Sequence, residues 1–241
     1  MGLLSLPTLF QLRRADSRSA LRGVEAWQAY TLPESKAAYL NGGLKRAIDI
    51  CGAIVGLVFG LPLFGIAALF AAMVDHVPPI FHQERLGLGG RPFTMLKLRT
   101  LAIIETRDTV IVANMQRKPT YQTTRTGQFW RTHSIDEIIQ FWLVLKGEMS
   151  LVGHRPIPMY YVPHLHEMDG LDSVHAVHYL KIVSGYKPGM TSLSSVNGRG
   201  NLKMLDKMEY DMLYAQNASL LTDLVILLRS VIAVVTCEGA K

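Results

Sequence analysis

Arg125–Pro156 reads RTGQFWRTHSIDEIIQFWLVLKGEMSLVGHRP, and its centre sets adjacent carboxylates, Asp136 and Glu137, among Arg125, Arg131 and Arg155. Acids and guanidinium groups in one short segment point to phosphate chemistry with a divalent metal, because guanidinium forks match phosphate oxygens and hard cations take carboxylate oxygens. Ser134 followed by Glu137 has capping-box spacing, and Ile135, Ile138, Ile139, Trp142, Leu143 and Leu145 supply an apolar stripe behind it. The pattern predicts a helix from about 135 to 146, ended by Gly147. Acids in the first turn of a helix have an ordinary explanation, since they complement its dipole. The same helix-terminal donors would keep Asp136 ionised near neutral pH, able to act as a carboxylate nucleophile. A carboxylate approaching a diphosphate is repelled, so attack on phosphorus requires neutralisation by a metal and by guanidinium groups. Glu137 is the candidate magnesium ligand beside Asp136. Arg125, Arg131 and Arg155 are the candidate clamps, although each alone reads as a surface charge.

Upstream, Ile50 to Val74 is uncharged and mostly apolar, with Pro62 near its middle. About 25 residues at 1.5 Å each reach roughly 37 Å, enough to span the hydrocarbon of a bilayer. Pro62 removes a backbone donor and predicts a kink, with Gly56, Gly60 and Gly65 loosening the same region. A bent helix enters and leaves on one face if its freed carbonyls find partners. Spacing alone leaves the re-entrant and spanning forms open. The net charge of +6 together with a 49% hydrophobic share suits a protein held against anionic lipid. Nucleic acid is the rival partner, set aside because the basic residues are dispersed and form no recognisable module. Cys51 and Cys237 have neither the number nor the spacing of a disulfide framework or zinc site. The apolar run starts about fifty residues in, without a small-residue cleavage signature, so the catalytic part is expected on the cytoplasmic side. At 241 residues the chain fits one domain with a sizeable core.

Ile80 to Gln83 and Phe93 to Leu98 read as strands flanking the turn-rich Gly87 to Pro92, a small hairpin. Within LKLRT, Lys97 and Arg99 fall on one strand face and Leu96 and Leu98 on the other, while Arg85 before Gly87 reads in isolation as a turn charge. Residues 101 to 118 read as helical, ended by Pro119. His154, His164, His166, His175 and His178 lack HExxH or comparable ligand spacing. Lys187 to Thr191 reads as a turn, and Asn197 to Gly200 as a loop able to wrap a ligand. Leu202 to Thr236 reads as two helices broken near Gln216 to Ser219. The second, Leu220 to Val235, carries only Asp223 and Arg229 as charges, which fits a membrane interface or a core. Residues 1 to 43 read as an extension with a short helix from Ser19 to Tyr30.

These pieces, in this order from about Leu44 to Leu228, resemble the bacterial sugar transferase family of monotopic phosphoglycosyl transferases, which includes undecaprenyl-phosphate sugar-phosphate transferases. The carriers are LKRAIDI, QERLGLGGRPF, LKLRT, TRTGQFWR, SIDEIIQFWLVLKGEMSLVGHRP, KPGMT, NGR and YDMLYAQNASLLTDLVIL. The Asp-Glu block with LKGEMSLVG and Arg-Pro is the specific part. The resemblance implies an α+β, mostly helical monotopic membrane enzyme with a re-entrant helix bent at Pro62, a small β-hairpin and amphipathic interfacial helices. It divides the chain into an extension (1–43), a re-entrant membrane helix (44–76), a cytoplasmic catalytic domain (77–215) and an interfacial helix (216–241), at a bacterial inner membrane. It implies that Asp136 attacks a UDP-sugar, releases UMP and holds the sugar phosphate until polyprenyl (undecaprenyl) phosphate collects it, starting glycan or glycoconjugate assembly. Glu137, with Asp136, would hold Mg²⁺, and Arg85, Lys97, Arg99, Arg125, Arg131, Arg155 and Arg199 are the implied substrate contacts. Membrane lipid is a further partner, nucleic acid is not, and a homodimer is left open.

Two departures stand out. The family's usual Gly-Pro-Arg-Pro is Gly153-His154-Arg155-Pro156 here, and KPGMT continues into Ser192 where glycine is common. Serine does not take positive φ as cheaply as glycine, which puts substrate placement in question. The family's usual aromatic near Ser194 and Ser195 is missing, so no sugar is assigned. The extension is too short for the membrane bundle of larger relatives. The alternatives are a catalytically weak homologue acting as a membrane scaffold and, from another class, a peripheral lipid-binding protein whose acids only cap a helix.

Overall fold

The computed structural model describes residues 31–103, 121–167, 173–198 and 202–237. A short helix α1 (Glu34–Leu40) leads into α2 (Gly43–Met73), an unbroken helix with Pro62 inside it. At 1.5 Å per residue, α2 is about 46 Å long. Among the described residues, the stretch Glu34–Met73 is long and apolar enough to cross a membrane by length and composition. Val58, Phe59, Ile66 and Leu69 point outward and are exposed, an apolar surface of the kind that lipid or a partner covers.

The glycines of α2 do something other than loosen it. Gly52, Gly56 and Gly60 recur every fourth residue and share a face. A Cβ on them would come within 2.5 Å of Leu151, 2.5 Å of Phe141 and 2.7 Å of Ile138, respectively. They are therefore the groove in which α4 (Gln140–Lys146) and the turn before it lie. The expected loosening at Gly56 and Gly60 is corrected to close packing. Arg46 reinforces the contact by donating to Val144 O at 2.5 Å and Leu145 O at 2.6 Å, carbonyls in the last turn of α4. Gly147 ends α4 at φ +86°, a conformation that favours glycine.

The hairpin forms as expected but is longer. Strands β1 (Ile80–Leu86) and β2 (Pro92–Leu98) pair antiparallel through their whole lengths, because the turn is confined to Leu88–Gly90. The register sets Arg85 opposite Phe93, Gln83 opposite Met95 and Phe81 opposite Lys97, all on one face. Leu101–Ile103 is a strand, β3, paired antiparallel with β4 (Tyr121–Thr123), which corrects the start of the helix expected over 101–118. Cross-strand pairing outweighs the local helical pattern there. The remainder of that expected helix, with Pro119, lies outside the described residues, as does the expected helix at Ser19–Tyr30.

The helix expected over 135–146 divides. A single 3₁₀ turn, Ile135–Glu137, precedes α4, and the capping box does not form: Ser134 is left-handed at φ +57° and its hydroxyl caps nothing. The Glu137 carboxylate instead accepts a hydrogen bond from Lys97. Upstream, α3 (Gly127–Thr132) sends Trp130 into a small buried cluster with Phe64, Ala67, Ala71, Leu98 and Ile135. Downstream, β5 (Ser150–Val152) and β6 (Gly189–Thr191) pair in parallel through a crossover containing α5 (Ser173–Val183). The short α6 (Leu193–Val196) follows. The C-terminal pair forms as expected, α7 (Met204–Asn217) and α8 (Leu220–Val235). Thr222, Asp223 and Ile226 of α8 are buried while Leu221, Leu228, Val231 and Val235 are exposed, so it serves both a core and a surface.

One buried polar network ties these parts together. Lys45 of α2 donates to Asp223 of α8 at 2.7 Å and to Val152 O of β5 at 2.9 Å. Tyr39 and Tyr214 also donate to Asp223, each at 2.7 Å, and Asp49 accepts from Ser150 Oγ and Leu151 N, each at 2.9 Å. Removing one member of such a pair leaves an uncompensated charge in low dielectric. Lys45→Met is expected to cost about 3–5 kcal/mol, read as a fall in the thermal unfolding midpoint of the detergent-solubilised protein. Neutralising both charges in Lys45→Met/Asp223→Asn should recover part of that loss.

Candidate active site

Asp136 and Glu137 occupy the 3₁₀ turn between α3 and α4, and hydrophobic contacts hold it from below. Ile135 is buried against the Phe64, Ala67 and Trp130 cluster, and Ile138 meets Gly60 of α2. From the side, the same face of the hairpin presents Lys97, whose Nζ lies 2.5 Å from Glu137 Oε1. The pair is about a fifth exposed on the lysine and a quarter on the glutamate, which leaves it open to a ligand.

Arg85, Met95, Lys97, Glu137, Arg155 and Pro156 line one narrow cavity of about 20 Å³. Such a space admits little more than a water-sized group before its side chains part. Arg85 is fixed there: Nη1 donates to Pro156 O at 2.7 Å and Nη2 to Gln83 Oε1 at 2.5 Å. Burial and the adjacent Arg155 charge bring its pKa down to about 10, so it remains cationic at neutral pH. Arg131, in the last turn of α3, is close enough to stabilise the Asp136 anion.

Burial first, then repulsion from Glu137, raises the Asp136 pKa to about 6, against the opposing pull of Lys97 and Arg131. Helix-terminal donors had been expected to hold this carboxyl down. The 3₁₀ turn does not supply enough of them, and the shift runs the other way. Asp136 is still mostly ionised at pH 7.

The predicted arginines do not all gather. Arg85, Lys97 and Arg155 share the cavity with Glu137, and Arg131 acts on Asp136. Arg99 turns to the hairpin end, donating from Nε to Pro78 O at 2.9 Å and lying 5.5 Å from the Phe81 ring centroid. Arg125 lines a separate cavity of about 440 Å³ with Val74, Asp75, His76, Ala102 and Thr124. The carboxylate of that cavity is already engaged. Burial pushes Asp75 up, but hydrogen bonds from Thr126 and Thr124 outweigh it and leave the pKa lowered. The smaller cavity is the candidate site, because there an acid, Glu137, meets Arg85, Lys97 and Arg155. Arg199 lies outside the described residues.

A magnesium ion fits the acidic pair. Among the described residues no group of three or more His, Cys, Asp or Glu forms a protein cage, and Mg²⁺ characteristically uses one or two carboxylates with water and substrate phosphate oxygens. Asp136 and Glu137 would hold it, and Lys97 would share or yield Glu137.

Ser192 is accommodated, and His154 packs in with its buried Nε2 lacking a hydrogen-bond partner among the described residues. Ser192 is extended at φ −148° and needs no glycine, and its Oγ accepts from Ser195 N at 3.1 Å to cap α6. His154 is fully buried, edge-on to Tyr186 at 5.1 Å, and burial lowers its pKa to about 4, so the ring is a neutral packing group. Sequence reasoning missed Met95 and Pro156 as cavity walls, and Asp211, a buried acid whose carboxylate accepts the Tyr179 hydroxyl. Its only signal was an acid amid the apolar residues of YDMLY.

The model of the bacterial sugar transferase family matches residues 40–237, and the chain belongs to that family. It is 32% identical to the UDP-glucose:undecaprenyl-phosphate glucose-1-phosphate transferase of Klebsiella pneumoniae, over 95% of this chain and 48% of that protein. A protein of the same name from Caulobacter vibrioides is 37% identical over 81% of this chain and 71% of its own. The exopolysaccharide production protein ExoY of Sinorhizobium fredii is 30% identical over 92% of this chain and 99% of its own. The chain thus spans about half the length of the first of these relatives and nearly all of the last.

Lys97→Met removes an attraction that favours the Asp136 anion. The Asp136 carboxyl midpoint is expected to move above about 6, followed by carbon-13 NMR of labelled aspartate. A midpoint that stays or falls contradicts this placement of Lys97.

Proposed function

We propose that this protein transfers a sugar 1-phosphate from a UDP-sugar to polyprenyl (undecaprenyl) phosphate, giving a polyprenyl-diphosphate-sugar and UMP. The observation that carries the reading is the convergence of Glu137 with Lys97, Arg85 and Arg155 at one narrow cavity, with Asp136 next to Glu137 in the same turn and under the charges of Lys97 and Arg131. Family membership and the substrates in the relatives' names support it.

In the first half-reaction an Asp136 carboxylate oxygen attacks the sugar-bearing phosphorus. The bond from that phosphorus to the bridging oxygen breaks, and UMP leaves with the oxygen and the electron pair. The product on the protein is an aspartyl phosphosugar. In the second, an oxygen of polyprenyl phosphate attacks the same phosphorus and the carboxylate departs, regenerating Asp136. Lys97, Arg85 and Arg155 offset the charge of the diphosphate, which otherwise repels the nucleophile. Mg²⁺, when bound by Asp136 and Glu137, supplies further neutralisation of phosphate oxygens.

The exposed apolar surface of α2 and the outward face of α8 support placement at a membrane; a monotopic arrangement at the cytoplasmic face of a bacterial inner membrane, with α2 re-entrant and bent at Pro62, is what the family resemblance implies. The scaffold alternative gains nothing from His154 and Ser192, since both fit their backbone positions without strain.

With Mg²⁺ and a reactive UDP-sugar but no polyprenyl phosphate, UMP release is expected for one stoichiometric round, with a matching adduct in intact-mass analysis. Asp136→Asn should abolish both. Because the anion attacks, the burst rate should fall roughly tenfold per pH unit well below the Asp136 pKa of about 6. A burst that persists in Asp136→Asn overturns the nucleophile assignment. For topology, single cysteines at Gly43→Cys and Val74→Cys, with the native cysteines replaced by serine, should both react with an impermeant reagent from the cytoplasmic side. Reaction from opposite sides overturns the re-entrant placement.

A further inference from the structure

Arg85 is held at the candidate site by a side chain that the proposed reaction leaves unused. Gln83 precedes it by two residues on β1, on the same face of the hairpin, and its cross-strand neighbour is Met95, a wall of the small cavity. Gln83 Oε1 accepts Arg85 Nη2 at 2.5 Å. A guanidinium offers donors only, so it is the amide oxygen that faces it. The other terminal nitrogen, Nη1, donates to Pro156 O at 2.7 Å. Between them Nε is buried and makes no hydrogen bond among the described residues.

The loop that follows Arg155 is fastened to the same strand. Leu86 N donates to Ile157 O at 2.8 Å, and Arg85 pairs with Pro158 as an antiparallel bridge. Arg85 therefore stands where the hairpin bearing Lys97 and the loop bearing Arg155 are joined, and its guanidinium shares a cavity with the guanidinium of Arg155. Like charges so placed repel, and a long, rotatable side chain relieves the repulsion by swinging out into water. Two acceptors on opposite terminal nitrogens prevent that swing.

We infer that Gln83 is a positioning residue: with the Pro156 carbonyl it grips Arg85 by both terminal nitrogens, leaving the unpaired Nε–H for a phosphate oxygen of the nucleotide-sugar donor. A buried cationic N–H without an acceptor is costly, and a phosphate oxygen is the acceptor that repays it best. Gln83 itself touches no substrate in this scheme. The inference rests on the donor reading above and adds the residue that keeps one of its cations in place.

The test is equilibrium binding of UDP-glucose, UDP-galactose and UDP-N-acetylgalactosamine, with Mg²⁺, to the full chain in the unreactive Asp136→Asn background. A double-mutant cycle separates positioning from a role in the fold alone. Gln83→Leu should weaken donor affinity about threefold to tenfold, with an unfolding midpoint close to the parent's. Arg85→Met should weaken it at least as much, and adding Gln83→Leu to Arg85→Met should change nothing further, because the group being held is gone. Losses that multiply in the double variant, or no loss in Gln83→Leu, overturn the role of Gln83. Should Gln83→Leu not fold, Gln83→Val takes its place in the cycle, since it suits a strand and also lacks an acceptor. Donor binding that Arg85→Met leaves intact overturns this inference alone. Failure of the parent to bind any of the three donors instead overturns the donor reading, and this inference with it.

Discussion

The buried ammonium of Lys45 is the constraint from which the architecture follows. A charge 3% exposed near the start of a long apolar helix is tolerable only with strong partners, and it finds Asp223 of α8 and the carbonyl of Val152. Asp49, one turn further along α2, takes Ser150 and Leu151. The beginning of α2, strand β5 and the beginning of α8 are thereby held together. Because β5 runs directly into the loop bearing Arg155, the long apolar helix and the Arg155 loop share one anchor.

Gly52, Gly56 and Gly60 continue that attachment along α2. With no side chains of their own, they let Leu151, Phe141 and Ile138 approach the helix backbone. The acidic pair therefore rides on α2 and does not hang from a loop. Trp130 and Phe64 close the space beneath Ile135, while the hairpin brings Lys97 from the side. The turn is thus fixed on two sides before any substrate arrives, as electrostatic catalysis requires.

What could be read from the chain alone tracks the range of the physics involved. Strand alternation located β1 and β2, and apolar periodicity found α7 and α8 with the break between them. Both signals are local. The Ser134-to-Glu137 spacing misled, because the capping box requires an extended Ser134, whereas this residue is left-handed and its glutamate is drawn to a lysine 40 residues away. Asp136 and Glu137 stood out as candidates in the sequence, but the direction of the Asp136 shift did not, since burial is a property of the assembled turn. Likewise, no spacing rule separates Arg85 and Arg155, which meet at the cavity, from Arg99 and Arg125, which do not. Family resemblance supplied the reaction, and geometry sorted the cations.

The contact between Lys97 and Glu137 gives the resting protein a placeholder. A glutamate adjacent to a second acid would, without a counterion, oppose assembly of the turn that carries both. The ammonium neutralises it in advance, so a dication bound there would exchange one cation for another, not fill a bare negative hole.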